Sequence, residues 1–385
     1  MLEAALAAGV TAAGGDVFLG GVLPTPAAPL LIRRYGFDLA AVISASHNPY
    51  ADNGIKFFGP DGFKLSDAAE AAIETRLDDP PAAAAHIGRP RELHGTQEDY
   101  LRELHTRFAA LDLSGVDVVL DCANGATHHV APEVFRRLGA RPTVVADQPD
   151  GRNINDGCGS THVDALGETV RAGGHHLGFA FDGDGDRMLA VDRHGVVVDG
   201  DELIALAALH LRAAGRLPGD GVAVTVMTNF GLHRAMEDAG IEVATTQVGD
   251  RYVLEALRDR GWSLGGEQSG HIIDMNFVPS GDGIAAALLT LEALAGEDLA
   301  DRHAMVKLPQ RLLNVRVADR DAAMTDDALN AAVAAESEAL SGRGRVLVRP
   351  SGTEQLVRVM VEAPEAQEAD AVVARLVALV PGSLS

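Results

Sequence analysis

Cysteine and aromatic residues are scarce in this 385-residue chain, which has two cysteines, one tryptophan and 4% aromatics in all. Cys122 and Cys158 stand 36 positions apart, with no Cys-x-x-Cys pair, so neither a zinc ribbon nor a disulfide scaffold can be built from them. A reducing cytosol fits. The shortage of large rings disfavours an aromatic-filled sandwich, whereas 42 glycines and many alanines suit helices packed closely on sheets. Positive charge is short as well. With 32 Lys and Arg against 55 Asp and Glu the formal charge is −23, a surface that repels a phosphate backbone and excludes a general nucleic-acid-coating protein. No apolar run reaches membrane-spanning length: residues 203–209 and 284–289 are followed by His210, Arg212, Thr290 and Glu292. The Ala-rich start carries Glu3 and no Lys or Arg before Arg33, so it lacks the positive region of a secretory signal. The chain is expected in the cytoplasm, with no membrane and no nucleic-acid partner.

Apolar residues make up 47% and charged residues 23%, close to the globular average, so most of the chain can bury a core. The length suggests two to four domains. A helix-favouring start at 1–13 has no capping residue ahead of it. It leads into a short strand at 16–19, a Leu-Pro-Thr-Pro loop at 23–26 and a helix ending about Tyr35. The apolar run 39–43, followed by Ser-Ala-Ser-His-Asn-Pro, reads as a buried parallel strand with a polar loop at its C-terminal end. A strand at 55–58 and a helix at 67–77 precede a Pro-, Gly- and charge-rich stretch, 80–96, expected to be a linker with a domain boundary near 98. Strands at 116–120, 142–146 and 177–181 then alternate with helices at 130–138 and 163–171. A third round runs from a helix at 201–214 to about residue 308. Such alternation implies α/β units. The remainder, from Leu312, reads strand, helix, strand, loop, strand, helix, an α+β module of another type.

Three carboxylates at alternate positions, Asp182, Asp184 and Asp186, follow directly on the 177–181 strand with glycines between them. Such a loop can turn all three to one point, and oxygen ligands suit a hard divalent cation. An EF-hand is excluded, since its sixth and twelfth positions would be Arg187 and Arg193; the plain alternative is an acidic turn in solvent. Ser46-His47 invites a nucleophile-and-base pair. Neighbours on an extended chain point to opposite sides, so direct deprotonation of Ser46 by His47, and with it a hydrolase triad, is disfavoured. Ser46 can instead carry a phosphoryl group neutralised by the aspartate-bound cation and Lys56, against the alternative of an ordinary turn-forming serine. Arg349-Pro350-Ser351-Gly352-Thr353, with Arg358, holds the guanidinium groups and hydroxyls of a phosphate clamp, or else of an exposed basic turn. The stretch Gly-Gly-Glu-Gln-Ser-Gly-His at 265–271 suits recognition of sugar hydroxyls, with His271 able to titrate near neutrality. A Gly-rich surface loop explains it equally well.

Together and in this order, the loops 44–49, 182–187, 267–271 and 349–358 resemble those of the α-D-phosphohexomutase superfamily, and the likeness covers essentially the whole chain. Within it, the segments 42–50, 52–58, 121–126, 158–162 and 266–271 look most like the bacterial phosphoglucosamine mutases. Gln268 bears on the subtype, because phosphomannomutase/phosphoglucomutase relatives usually carry Met there and phosphoglucomutases another Glu. The resemblance implies three similar α/β sandwich domains and a C-terminal α+β domain around a central cleft. Residues 1–98 would carry the phosphoserine loop, 99–200 the metal loop, 201–308 the sugar loop and 309–385 the phosphate loop.

The activity so implied interconverts glucosamine 6-phosphate and glucosamine 1-phosphate through phosphorylated Ser46 and a bisphosphate intermediate, for UDP-N-acetylglucosamine and cell-wall precursor synthesis. Magnesium (Mg2+) would sit on Asp182, Asp184, Asp186 and a Ser46 phosphate oxygen, and glucosamine 1,6-bisphosphate or glucose 1,6-bisphosphate would serve as activator. Glu267 and Ser269 would hold ring hydroxyls; Arg349, Ser351, Gly352, Thr353 and Arg358 would hold the non-reacting phosphate. His47, Lys56 and His271 are unranked acid/base candidates, and Arg187 is counted in the catalytic set. A small-molecule hexosamine phosphate is the expected partner, and a homodimer is open. Two competing readings stand beside this one: a phosphomannomutase/phosphoglucomutase, and a non-catalytic relative that binds sugar phosphate. The second is motivated by the family's opening strand and arginine-bearing segments, which have no counterpart after Met1, so the N-terminal part of the first domain is expected to be missing. Gln355, where the family commonly has Pro, is a small departure at the rim of the phosphate loop.

Overall fold

The computed structural model describes residues 1–79, 84–351 and 354–381. Contacts divide it into two compact units, Met1–Val226 with Glu242–Arg302, and Met227–Ile241 with His303–Ser385.

The larger unit contains two sheets of the kind that alternating strands and helices require. In the first, Asp117–Asp121 lies between parallel neighbours Arg141–Val145 and Leu177–Phe181, and Met188–Asp192 and Val197–Val198 continue it antiparallel. Every residue of Leu177–Phe181 is buried, as a continuous apolar run covered on both faces must be. Helix Asp164–Gly173 packs Leu166 and Val170 against Val119, Ala180 and Val191. In the second sheet, Gly221–Thr225 is flanked in parallel by Glu242–Thr246 and Leu264–Gly266, and Ile272–Asp274 turns back antiparallel. Helix Gly283–Leu294 contains the apolar run 284–289 and is buried along nearly its whole length, the state that a helix apolar on all sides needs. Among the described residues, no helix is long and apolar enough to cross a membrane.

The N-terminal part departs from expectation in two places. The run 39–43 is not a buried parallel strand: Ala40–Ser44 pairs antiparallel with Gly54–Phe58, and none of its residues is buried. Only nine residues separate the two strands, whereas a parallel return needs a crossover of a dozen or more. The stretch 80–96 is not a linker throughout. Residues 80–83 lie outside the described ones, but Pro90–Glu92 pairs in parallel with Val17–Leu19, with proline at its first residue, where no ladder donor is required. Helix Thr96–Arg107 starts within the same stretch, and Thr96 Oγ1 donates to Gly20 O at 2.8 Å.

The smaller unit is a three-stranded antiparallel sheet in which Leu356–Glu362 lies between Gln310–Arg316 and Arg345–Pro350. Helices Asp327–Ala339 and Ala366–Val377 contribute Leu329, Val372 and Leu376 to a core with Val357, Val359 and Val361. Helix Phe230–Asp238, which lies far upstream in sequence, belongs to this unit because its first turn is tied to the sheet. Fully buried Glu362 accepts from Phe230 N at 2.8 Å and from Arg345 Nε at 2.8 Å, so the carboxylate is paired and hydrogen-bonded.

Candidate active site

The loop after Ala40–Ser44 turns sharply at Ser46, whose φ of 51° is in the left-handed region. Ser46 N donates to Ser44 Oγ at 3.0 Å, and Asn48 N donates to Ala45 O at 2.9 Å, closing the turn. The chain here is therefore not extended, and the expected separation of Ser46 from His47 fails: Ser46 Oγ stands 3.4 Å from His47 Nδ1. The hydroxyl also donates to Asp182 Oδ2 at 3.2 Å. Burial, helped by the Arg187 charge, lowers the His47 pKa, so the neutral imidazole is favoured against the pull of Asp186 and Asp184.

The three aspartates directly follow Leu177–Phe181, and their relative exposures are 0% for Asp182, 1% for Asp184 and 4% for Asp186. One oxygen from each lies within 4.8 Å of the others. An acidic turn in solvent is thereby excluded. The loop is fixed from several sides. Thr25 Oγ1 donates to Asp184 Oδ2 at 2.7 Å, Arg187 N donates to Asp182 Oδ1 at 3.1 Å, and Lys56 Nζ reaches Asp184 Oδ2 at 2.6 Å and Asp186 Oδ2 at 2.8 Å. From behind, Gly283 N donates to Gly185 O at 2.9 Å; it begins a helix capped by Asp282, whose two oxygens accept from buried Tyr100 Oη at 2.9 Å. Burial pushes the Asp282 carboxyl up to about 6.

Charge in this cluster is unevenly held. Burial, Asp186 and Asp184 push the Asp182 carboxyl well above the usual range. For Asp186 burial acts the same way, but His271, Lys56 and Arg187 overcome it and hold the carboxyl below the usual range. Burial opposes the Lys56 ammonium, yet Asp186 and Asp184 outweigh it and raise its pKa. Asp184 Oδ1 and Asp186 Oδ1 are buried with no hydrogen-bond partner among the described residues. Buried carboxylate oxygens left in that state fit a hard cation bound by oxygen.

The 267–271 loop joins Leu264–Gly266 to Ile272–Asp274 in a tight hairpin, with Glu267 N donating to His271 O at 3.0 Å. Met188 N, just past the aspartates, donates to Gly270 O at 3.0 Å, and a Cβ on Gly270 would meet Met188 O at 2.1 Å. Close approach therefore requires glycine. His271 is buried beside the metal loop, with Nε2 3.9 Å from Asp186 Oδ2 and 3.7 Å from Asp250 Oδ2, which Lys64 also pairs. Burial lowers its pKa against the pull of both carboxylates. Glu267 Oε1 accepts from Gly249 N at 3.1 Å, while Ser269 is exposed. Gln268 turns to the scaffold: its Nε2 donates to Asp199 Oδ2 at 3.1 Å, and Asp199 caps helix Gly200–Ala213.

In the smaller unit, Arg349 and Arg358 face each other across Arg345–Pro350 and Leu356–Glu362. Burial and the Arg358 charge lower the Arg349 pKa. Like charges directly opposite are unfavourable in a ladder, and an anion held by both would relieve that. Ser351 is buried and its Oγ accepts from Glu354 N at 3.3 Å. Gly352 and Thr353 lie outside the described residues.

Within the larger unit, then, the structure gathers Ser46, His47, Lys56, Asp182, Asp184, Asp186, Arg187 and His271. Sequence reasoning missed Thr25, Asp250 and Asn155. Asn155 Nδ2 donates to Ser46 O at 2.7 Å and Asn48 O at 2.8 Å. The rigid Pro24-Thr25-Pro26 sequence was the available signal for Thr25; the other two carry none that distinguishes them from ordinary loop and helix residues.

Models of the phosphoglucomutase/phosphomannomutase family match the chain in four successive pieces: alpha/beta/alpha domain I over residues 1–83, domain II over 98–195, domain III over 199–311 and the C-terminal domain over 312–379. The chain belongs to this family of phosphohexomutases, isomerases that move a phosphoryl group on a hexose. The expected plan of three α/β domains and a different C-terminal one is thus present. Among curated proteins it is similar to the phosphoglucosamine mutase of Moorella thermoacetica, at 50% identity over 98% of this chain and 86% of that protein. A phosphoglucomutase/phosphomannomutase family protein from Burkholderia thailandensis superposes with a TM-score of 0.82 at 23% identity, over 100% of this chain and 87% of that one. The N-acetylphosphoglucosamine mutase of Aspergillus fumigatus, in complex with GlcNAc-6P and magnesium, gives 0.72 at 21% identity, over 98% of each. At such identities the two structures speak for the fold alone.

Proposed function

We propose that the protein interconverts glucosamine 6-phosphate and glucosamine 1-phosphate in the cytoplasm, with Ser46 as the phosphoryl carrier. The observation that carries this reading is the contact of Ser46 Oγ with Asp182 Oδ2, 3.2 Å, which puts a strained serine at the rim of a buried three-carboxylate cluster. Half-length identity to a phosphoglucosamine mutase would carry little, but here the likeness runs over 98% of the chain.

In the carrier state Ser46 Oγ bears phosphate. Transfer breaks its Oγ–P bond and forms a new P–O bond to the free O1 or O6 of the hexosamine phosphate; the sugar hydroxyl proton passes to a base, and Ser46 Oγ, the leaving oxygen, takes up a proton to become the free hydroxyl. The resulting 1,6-bisphosphate then returns its other phosphate to Ser46, and glucosamine 1,6-bisphosphate or glucose 1,6-bisphosphate primes the unphosphorylated enzyme in the same way. Asp182, Asp184 and Asp186, with a Ser46 phosphate oxygen, would hold magnesium, which when bound offsets charge on the transferring phosphoryl group. Lys56, pinned by Asp184 and Asp186, keeps a positive charge beside the same oxygens. His47, 3.4 Å from Ser46 Oγ, and His271 are the proton-accepting candidates, and Arg187 adds charge at the rim. Glu267 and Ser269 bind ring hydroxyls. Arg349, Ser351 and Arg358, with Gly352 and Thr353, bind the phosphate that is not reacting.

Because Gln268 is engaged by Asp199, its bearing on sugar choice comes through the shape of the 267–271 loop rather than through its own contact. Rates on glucosamine, glucose and mannose 6-phosphates test the assignment. Fastest turnover of the amino sugar is expected; a preference for mannose or glucose phosphate contradicts the substrate while leaving the chemistry intact.

A further inference from the structure

We infer that Asn155 is a positioning residue that aims the phosphoryl carrier from a distant loop. The inference rests on the reading of Ser46 as that carrier. A side chain at the left-handed φ of 51° is unfavourable for serine, so something must hold the turn in place. Local closure supplies part of the restraint, through the Ser44 hydroxyl and the Asn48 N to Ala45 O bond. The rest comes from more than a hundred residues downstream. Both protons of the Asn155 amide are used on the 46–48 segment, at 2.7 Å to Ser46 O and 2.8 Å to Asn48 O, bracketing His47 between two fixed carbonyls.

Asn155 is itself rigidly placed. It is 7% exposed, and its backbone N donates to Ala123 O at 2.9 Å. Its own φ is 58°, a conformation that asparagine tolerates better than most residues. Beneath the same carbonyl lies the metal loop: a Cβ on Gly183 would meet Ser46 O and Ile154 Cδ1 at 2.5 Å. The Ser46 peptide is thus gripped by Asn155 and backed by Gly183, and its hydroxyl is left directed at Asp182. No bond from Asn155 reaches the Ser46 hydroxyl or the three aspartates. It acts on the carrier through the backbone alone, and leaves Oγ free to gain and lose phosphate.

Two full-length variants test this. Asn155→Gly keeps the left-handed backbone and removes the amide; Asn155→Asp keeps the shape but presents acceptors to two carbonyls. Phosphate uptake at Ser46 is followed by intact mass after mixing with glucose 1,6-bisphosphate, beside steady-state kinetics on glucosamine 1-phosphate and magnesium titration of the melting temperature. Both variants are expected to lose about 100-fold in uptake rate and kcat, the scale of a carrier misplaced by about an ångström, while KM and the magnesium midpoint hold. Wild-type uptake in Asn155→Gly, or a loss carried by KM instead of kcat, overturns the inference. Failure of the wild-type protein to take up phosphate at Ser46 overturns the carrier reading itself, and this inference with it.

Discussion

Lys56 Nζ lies 2.6 Å from Asp184 Oδ2, and the aspartate is only 1% exposed. The ammonium compensates a carboxylate that has little access to water, and a bound cation would share that work. Replacing it by an apolar side chain, Lys56→Met, should therefore destabilise the metal-free protein by on the order of 3 kcal/mol, the cost of stranding a buried charge. Magnesium should restore more stability to the variant than to the wild type, because the carboxylates lose a competing positive charge, yet turnover should fall. Melting curves with and without magnesium check this; equal magnesium-dependent rises in both proteins would speak against a shared site.

Removing one of the three clustered carboxylates should act in the opposite sense on affinity. Asp184→Asn deletes a charged oxygen donor from the cluster, so magnesium binding and turnover should weaken together. Chelator should mimic the substitution in the wild type. Full activity in metal-free buffer would show that catalysis needs no cation.

Arg358→Ala addresses the smaller unit. It removes one of two guanidinium groups opposed across a ladder, and with it the charge-assisted contact proposed for the non-reacting phosphate. KM should rise and free bisphosphate should leak during turnover, while Ser46 still takes up phosphate. An unchanged KM without leakage places the clamp elsewhere.

His233, in helix Phe230–Asp238, has its pKa lowered from 6.5 to about 4 by burial and by the charge of Arg345. The unfolded chain therefore takes up the proton first as pH falls. Stability from this residue is complete above about 6.5 and is lost as pH drops towards 4. Chemical denaturation at stepped pH should give a slope over that window that flattens in His233→Gln. The same slope in both proteins would assign the acid sensitivity to other groups.

Much of the site was legible because its chemistry is concentrated in short segments. Asp182, Asp184 and Asp186 follow a strand readable from its apolar run, and the glycines between them mark the turn. What could not be read was whatever depends on tertiary return. The antiparallel partner of Ala40–Ser44 follows from the shortness of the loop to Gly54–Phe58, a geometric limit that apolar periodicity does not encode. Pro90–Glu92 hid in a composition typical of linkers, since an edge strand of three residues has no pattern to detect. An extended chain would part Ser46 from His47, but the left-handed turn at Ser46 is held by residues such as Asn155 that sequence distance conceals. The sequence placed Gln268 in the 267–271 loop but could not reveal that its amide turns to Asp199.

Whether Ser46 carries the phosphoryl group is read most directly from the intact mass of the protein before and after exposure to glucose 1,6-bisphosphate and then to glucosamine 1-phosphate. One phosphate is expected on the wild type, mapped to Ser46 and removed by the sugar phosphate, with none on Ser46→Ala, which should fold normally and lose mutase turnover. A Ser46→Ala protein that gains the same phosphate, or turns over within about tenfold of wild type, a difference of only about 1.4 kcal/mol in barrier, would contradict it.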